Sequence, residues 1–69
     1  MANFGDRLKE LRIEKRMTQE DIAKKLGIGV PAYSKRENEQ IEFSLSELKK
    51  LKKYLKITDE KFIEIFFTN

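Results

Sequence analysis

The stretch QEDIAKKLGIGVPAYSKREN, residues 19–38, decides the fold of this chain. Two short segments with helical apolar spacing lie on either side of Gly27, and very few residues join them. Glycine readily adopts the positive φ angle that such a tight turn requires. Ala23 is small enough to let two helix backbones approach, and Tyr33 provides an apolar anchor for the second segment. A plain helical hairpin with a glycine turn is the alternative, but this combination favours a helix-turn-helix pair.

The residues around this stretch predict three further helices. A first helix is expected from about residue 3 to residue 16, because Phe4, Leu8 and Leu11 form an apolar stripe spaced by four and three residues. Two more helices are expected after the polar stretch that follows the third, the last of them covering residues 58–67. The residues expected to cap the five helices at their N-termini are Asn3, Thr18, Gly29, Ser44 and Thr58. Together these features predict an all-α fold, a five-helix orthogonal bundle.

The composition of the chain excludes several functional classes. Its 69 residues suffice for a single compact domain, which is expected to span residues 1–69. The chain contains no cysteine and no histidine, so the commonest metal ligands and the commonest general base are absent. It also lacks a glycine-rich phosphate-binding loop. We therefore expect no enzymatic activity, no metal site, no cofactor and no small-molecule ligand.

The charge of the chain favours a polyanionic partner. Basic residues number 15 and acidic residues 12, and the sequence pI is about 9.3, which is typical of nucleic-acid-binding domains. The densest basic group is expected to be a solvated helix face, with a phosphate contact as the alternative; it consists of Lys49, Lys50, Lys52, Lys53 and Lys56. No apolar run approaches the roughly 20 residues that span a bilayer, and no signal-peptide pattern is present. A cytoplasmic protein is expected.

Over about residues 5–66 the sequence resembles the Cro/repressor (XRE-type) family of helix-turn-helix proteins. The resemblance is carried by RLKELR at residues 7–12, MTQEDIA at 17–23, LGI at 26–28 and YSK at 33–35, together with Glu37, Ser44, Leu45 and Leu48. It implies a lambda-repressor-like DNA-binding domain whose third helix enters the major groove of double-stranded DNA. It further implies a regulator of transcription, such as a repressor.

The resemblance also implies which residues contact DNA. Gln19, at the N-terminus of the second helix, is expected to hydrogen-bond a phosphate. Lys35 is the main candidate for a base-edge or phosphate contact, since lysine can reach guanine O6 or N7. Val30 and Pro31 offer only apolar contact to thymine methyl groups, so modest or shape-dependent specificity is expected. The full set of expected DNA-contacting positions is Gln19, Gly29, Val30, Pro31, Ser34, Lys35 and Asn38.

Charged residues at the end of the third helix set further expectations. In the family, the residues matching Arg12 and Glu37 form a salt bridge that orients the third helix; two unpaired exposed charges are the alternative. Arg36 stands where the family usually has an apolar residue, and its head is expected to rise to solvent or phosphate. Glu39 replaces a common glycine, and Glu42 adds a second carboxylate near the expected phosphate path. These two acids weaken the expectation of strong non-specific DNA binding.

The last helix carries more large apolar residues than a core of this size needs. The expected association surface consists of Phe62, Ile63, Ile65, Phe66 and Phe67. A two-fold homodimer through this helix would space two recognition helices by about one DNA turn, roughly 34 Å. A helix that only closes the core is the alternative.

Two functions fit these expectations. The first is a sequence-specific transcriptional regulator that acts as a homodimer on a palindromic operator. The second is a protein-binding helix-turn-helix module, such as an antitoxin or an anti-repressor partner, with weak DNA contact. The Val30–Pro31 pair and the acidic loop that follows the third helix favour the second function. The two differ in how affinity for random duplex DNA should depend on salt.

Overall fold

The computed structural model describes residues 3–67, which form five helices and no strand. The helices are α1 (Phe4–Glu14), α2 (Gln19–Leu26), α3 (Val30–Glu37), α4 (Leu45–Tyr54) and α5 (Asp59–Phe67). The predicted all-α, five-helix fold is confirmed. Helix α1 ends at Glu14, two residues earlier than expected, because Arg16 adopts a left-handed backbone conformation with φ of 59°. The expected domain ends at residues 1 and 69 lie outside the described residues.

Side-chain caps fix where four of the five helices begin. Thr18 Oγ1 accepts a hydrogen bond from the Asp21 backbone N–H at 3.0 Å, and the Asp21 carboxylate accepts from the Thr18 N–H at 2.8 Å. Ser44 and Glu47 form the same reciprocal capping box at the start of α4. Single caps start α1 at Asn3 and α5 at Thr58. Helices of 8 to 11 residues are marginal in isolation, so these caps and the tertiary packing together define them.

The turn between α2 and α3 has the predicted geometry. Gly27 ends α2 in the left-handed conformation, with φ of 74° and ψ of 29°, and its N–H is directed at carbonyls of the last turn of α2. Ala23 is 2% exposed and lies in the helix that packs directly on α3. Gly29 then caps α3, and Pro31 lies in the first turn, where its missing N–H has no partner to lose. The turn thus sets α3 at the surface of the domain.

The core collects buried apolar side chains from all five helices. Helix α1 packs on α3 and α5, and α2 packs on α3 and α4. The largest fully buried side chains are Tyr33, Leu8, Leu51, Leu55 and Ile65. None of the helices within residues 3–67 combines the length and apolar character needed to cross a bilayer.

A close backbone approach at Gly5 was not anticipated from the sequence. A Cβ atom at this position would lie 2.2 Å from the carbonyl oxygen of Glu37, well inside van der Waals contact. Gly5 is buried in the first turn of α1, so the beginning of α1 touches the end of α3 there. Only glycine fits this contact without a shift of the backbone.

Helix α5 divides the five residues of the expected association surface between core and solvent. Ile65 is 1% exposed and belongs to the core, so this residue is removed from the association surface. The rings of Phe62 and Phe66 are half-buried, and Phe66 lies 5.6 Å from the Phe4 ring and 6.3 Å from the Phe43 ring. The two that remain largely in solvent are Ile63, 52% exposed, and Phe67, 70% exposed.

Candidate nucleic-acid interface

Helix α3 has one face packed on the domain and one face open to solvent. Tyr33 and Glu37, one helical turn apart, are 0% and 3% exposed and hold the inner face. The outer face carries the positions that the sequence assigned to DNA contact: Gly29, Val30, Pro31, Lys35 and Asn38 are exposed, and Ser34 is half-buried. These six positions therefore lie together on the solvent-accessible side of α3 and its N-cap, Gly29.

The chemistry of this outer face changes along the helix. The first turn contains no acidic residue and presents Val30 and Pro31 to solvent. One turn later Lys35 is exposed, and Asn38 Nδ2 donates to Ser34 Oγ at 3.3 Å. Such a face can offer apolar contact to thymine methyl groups near its start and hydrogen bonds or a cation to base edges and phosphates further along.

The inner face of α3 ends in a buried carboxylate with four hydrogen bonds. Glu37 accepts from Arg12 Nε at 2.9 Å and Arg12 Nη2 at 3.2 Å, which forms a bidentate salt bridge. The Tyr33 hydroxyl donates to the same carboxylate at 2.7 Å, and Gln19 Nε2 donates at 3.1 Å. Arg12 Nη1 also donates to the carbonyl oxygen of Met17 at 2.9 Å. This Glu37 network joins α1, the α1–α2 loop, α2 and α3.

The electrostatics of the network keep each group in one protonation state. Burial alone would raise the pKa of Glu37, but hydrogen bonds from Arg12, Tyr33 and Gln19 outweigh it and hold this pKa below its usual value. Burial, followed by the hydrogen bond to Glu37, raises the pKa of the Tyr33 hydroxyl. At neutral pH Glu37 is therefore an ionised acceptor and Tyr33 a protonated donor. This fixed pattern sets the orientation of α3 on the rest of the domain.

A second ion pair links α3 to the start of α4. Arg36 Nε donates to Glu47 Oε1 at 3.0 Å, and Arg36 Nη1 donates to the carbonyl oxygen of Ala32 at 2.9 Å. The two charged side chains are 17% and 13% exposed. The same Glu47 oxygen accepts the Ser44 backbone N–H at 2.9 Å. The expectation that the head of Arg36 rises to solvent or phosphate is therefore wrong, because the capping carboxylate of α4 lies within its reach.

Comparison with protein families settles which class of helix-turn-helix this is. Residues 8–62 match the helix-turn-helix family of XRE-type, Cro/C1-like proteins. This chain belongs to that family. The family consists of DNA-binding regulators rather than enzymes. No curated protein and no solved structure matches the chain.

Gln19 has a role in this XRE-type domain that sequence reasoning missed. It is the first residue of α2, and its half-buried side chain donates one amide hydrogen to Glu37 rather than extending freely into solvent. An amide group carries two hydrogens, so one remains for another acceptor. Glu37 lies 18 positions further along the chain, and no local spacing could have revealed this contact.

The two acidic residues of the loop after α3, Glu39 and Glu42, lie in different surroundings. Glu39 adopts a left-handed conformation with φ of 63°, which explains why glycine is common at this position in the family. Its carboxylate accepts the Gly5 backbone N–H at 3.4 Å, so the side chain turns towards α1. Glu42 is exposed. One of the two carboxylates expected to oppose DNA is thus occupied within the domain.

Proposed function

We propose that this chain is a sequence-specific transcriptional regulator that acts in the cytoplasm, with α3 in the major groove and a palindromic operator as its target. The single observation that carries the proposal is the two-sided character of α3. Its inner face is held by Tyr33 and the Glu37 network, while its outer face, from Gly29 to Asn38, is accessible. A rigidly held helix with a free polar and apolar face is what base reading requires.

Each outer residue has a stated part in the proposal. Lys35 contacts a guanine edge or a phosphate, and Val30 and Pro31 contact thymine methyl groups. Ser34 and Asn38 provide hydrogen-bonding groups to bases or to the backbone. Gln19 donates its second amide hydrogen to a phosphate at the N-terminus of α2. Because Glu37 holds the other hydrogen of that amide, this phosphate contact is oriented before DNA arrives.

The proposal is tested by selecting bound sequences from a random duplex pool. Wild-type protein should recover a motif with two-fold symmetry. Lys35→Ala should change the base preference at one position of each half-site, whereas Gln19→Ala should weaken binding to all sequences alike. Lys9→Ala, which removes an exposed lysine of α1, is the matched control and should recover the wild-type motif. Recovery of no motif by the wild-type protein would refute the proposal.

We further propose that residues 1–69 form one domain that dimerises through α5. Ile63 and Phe67 are both more than half exposed on this helix, next to the half-buried rings of Phe62 and Phe66. Adjacent exposed apolar side chains of this size favour association. An interface between two copies of α5 is isologous, and a two-fold axis places two recognition helices on successive major grooves, about 34 Å apart.

Sedimentation equilibrium tests the dimer. Wild-type protein at tens of micromolar should sediment as a dimer, and Ile63→Ser combined with Phe67→Ser should sediment as a monomer. Ile13→Ser is the control, because Ile13 is a 57% exposed apolar residue of α1 outside the proposed interface, and it should leave the dimer intact. A monomeric wild type, or equal dissociation by the control variant, would contradict the interface.

A protein-binding module remains the second candidate function. The observation that favours it is the apolar first turn of α3, where Val30 is 37% exposed, in a face that carries one lysine. A regulator should lose affinity for random duplex steeply as salt rises, in proportion to the phosphates it contacts. No binding to duplex DNA, or a flat salt response, would favour the protein-binding function.

A further inference from the structure

The positive charge of this domain lies largely away from the recognition helix. The outer face of α3 carries one lysine, Lys35, whereas five exposed lysines lie on α2 and α4: Lys24, Lys25, Lys49, Lys50 and Lys53. We call the last four of these the lysine surface. They carry four positive charges in a chain that has 15 basic and 12 acidic residues.

Tyr54 connects the two helices of the lysine surface. The ammonium of Lys25, in the last turn of α2, lies 5.1 Å from the centre of the Tyr54 ring, and that of Lys53 lies 5.6 Å from it. Lys49 and Lys53 are one helical turn apart on α4, as are Lys50 and Tyr54. Helix α2 packs on α4. The lysines thus form one continuous area rather than four separate charges.

Within residues 3–67 no salt bridge occupies these four lysines, although the Asp21 carboxylate, one helical turn before Lys25, attracts its ammonium at longer range. The salt bridges of the described residues involve Arg12, Arg36, Lys52 and Lys61, and none involves the four lysines of the surface. Neighbouring ammonium groups repel one another, so their accumulation on one face is relieved by a ligand of high negative charge density.

We propose that the lysine surface binds the phosphate backbone of duplex DNA, independently of base sequence and outside the recognition helix. Lysine is a compact charge on a flexible stem and suits phosphate contact without a fixed geometry. A protein partner would need an apolar centre to its interface; the one aromatic ring here, 41% exposed, has ammonium groups over it. A single strand would need an open ring face for base stacking. Contact with the phosphates of a duplex requires neither an apolar centre nor an open ring face.

Salt-dependent binding to a random-sequence duplex of about two helical turns, followed by fluorescence anisotropy, tests this inference. Each phosphate contact contributes about 0.9 to the slope of log K against log salt. Lys49→Gln combined with Lys50→Gln should therefore reduce that slope by about 1.8 and lower affinity by roughly 60-fold at about 0.1 M salt, relative to a reference of about 1 M salt. Both lysines are exposed, and no salt bridge of the described residues involves them, so the fold should persist, as circular dichroism and a thermal melt can verify.

The control is Lys9→Gln combined with Lys15→Gln, which removes the same charge from exposed positions of α1 and its C-cap. It should change the slope by less than about 0.5. Lys25→Gln combined with Lys53→Gln should repeat the effect of the first pair. An equal reduction of the salt slope in the control variant would show an effect of net charge alone and would overturn the inference. Loss of binding to poly-glutamate with unchanged duplex binding would overturn it in favour of an acidic protein.

The inference rests on the proposed function only in sharing duplex DNA as the ligand, and the two can fail separately. Lys49→Gln with Lys50→Gln should leave the selected base motif unchanged, whereas Lys35→Ala should alter it. An unaltered motif with Lys35→Ala would count against base reading by α3. The lysine surface would still be supported by the reduced salt slope of its own variant. An unchanged salt slope with Lys49→Gln and Lys50→Gln would refute DNA binding by the lysine surface. Base reading by α3 would be unaffected by that result.

Discussion

Glu37→Ala is the perturbation that the structure makes most informative for stability. The carboxylate is 3% exposed and accepts four hydrogen bonds, from Arg12, Tyr33 and Gln19. Its removal leaves the Arg12 guanidinium, which is 8% exposed, without its counter-ion and leaves the Tyr33 hydroxyl without an acceptor. Removal of one partner from a buried ion pair costs about 3–5 kcal/mol. A domain of this size is stable by about 3–10 kcal/mol, so the variant should be close to unfolding.

Thermal and urea denaturation of a graded series provide the assay. Tyr33→Phe removes one hydrogen bond to a charged group and should cost about 1.5–3 kcal/mol, less than Glu37→Ala. Glu42→Ala is the matched control, because Glu42 is exposed, and should stay within about 0.5 kcal/mol of wild type. If Glu37→Ala unfolds within about 1 kcal/mol of wild type, the network does not hold α3 and the reasoning is refuted.

The same carboxylate gives a pH dependence of defined sign. The pKa of Glu37 in the folded state lies below its ordinary value of 4.5. As pH falls below that ordinary value, the unfolded state takes up the proton first, so this contribution to stability is lost on acidification and is fully present above it. Glu37→Gln should therefore flatten the acid side of the stability profile relative to wild type, measured as the free energy of unfolding at several pH values. A parallel profile for the two proteins would contradict the low pKa.

Substitutions at three further positions test the packing around α3. Gly5→Ala should destabilise the domain by about 1–3 kcal/mol, because the new Cβ meets the Glu37 carbonyl oxygen; a melt unchanged from wild type would contradict that contact. Glu39→Gly should stabilise it by about 1 kcal/mol, since glycine relieves a positive φ of 63°, and a lower melting temperature would count against strain there. Arg36→Ala should lower the free energy of unfolding in urea by about 1–3 kcal/mol. Arg36→Met keeps the apolar stem and should recover most of that stability, because Glu47 remains bonded to the Ser44 N–H. Equal losses of stability in both variants would show that the ion pair alone matters.

The parts of the fold that local sequence determines were predictable. The caps at Thr18 and Ser44 act within three residues, and Gly27 requires only its own φ angle to end α2. Tyr33 could be assigned to the core from its spacing within α3. Such features depend on neighbours in sequence, so a pattern of residue types is enough to reveal them.

The contacts that position α3 depend on residues distant in sequence and could not be read from spacing. Gln19 meets Glu37 across 18 positions and Arg36 meets Glu47 across 11. The Arg12–Glu37 bridge was expected only because the family has it. Gly5 meets the carbonyl group of Glu37 across 32 positions. The burial of Ile65 likewise required knowing which face of α5 meets α1.

The central claim is that the outer face of α3 is the surface that reads DNA. Chemical-shift perturbation of ¹⁵N-labelled protein, titrated with the duplex recovered by selection, measures this face directly. The largest shifts should fall at residues 29–38 and at Gln19, with small ones at the exposed residues of α1. If the backbone signals of Ser34 and Lys35 stay in place while the strongest shifts appear on α1, DNA docks elsewhere and the account is contradicted.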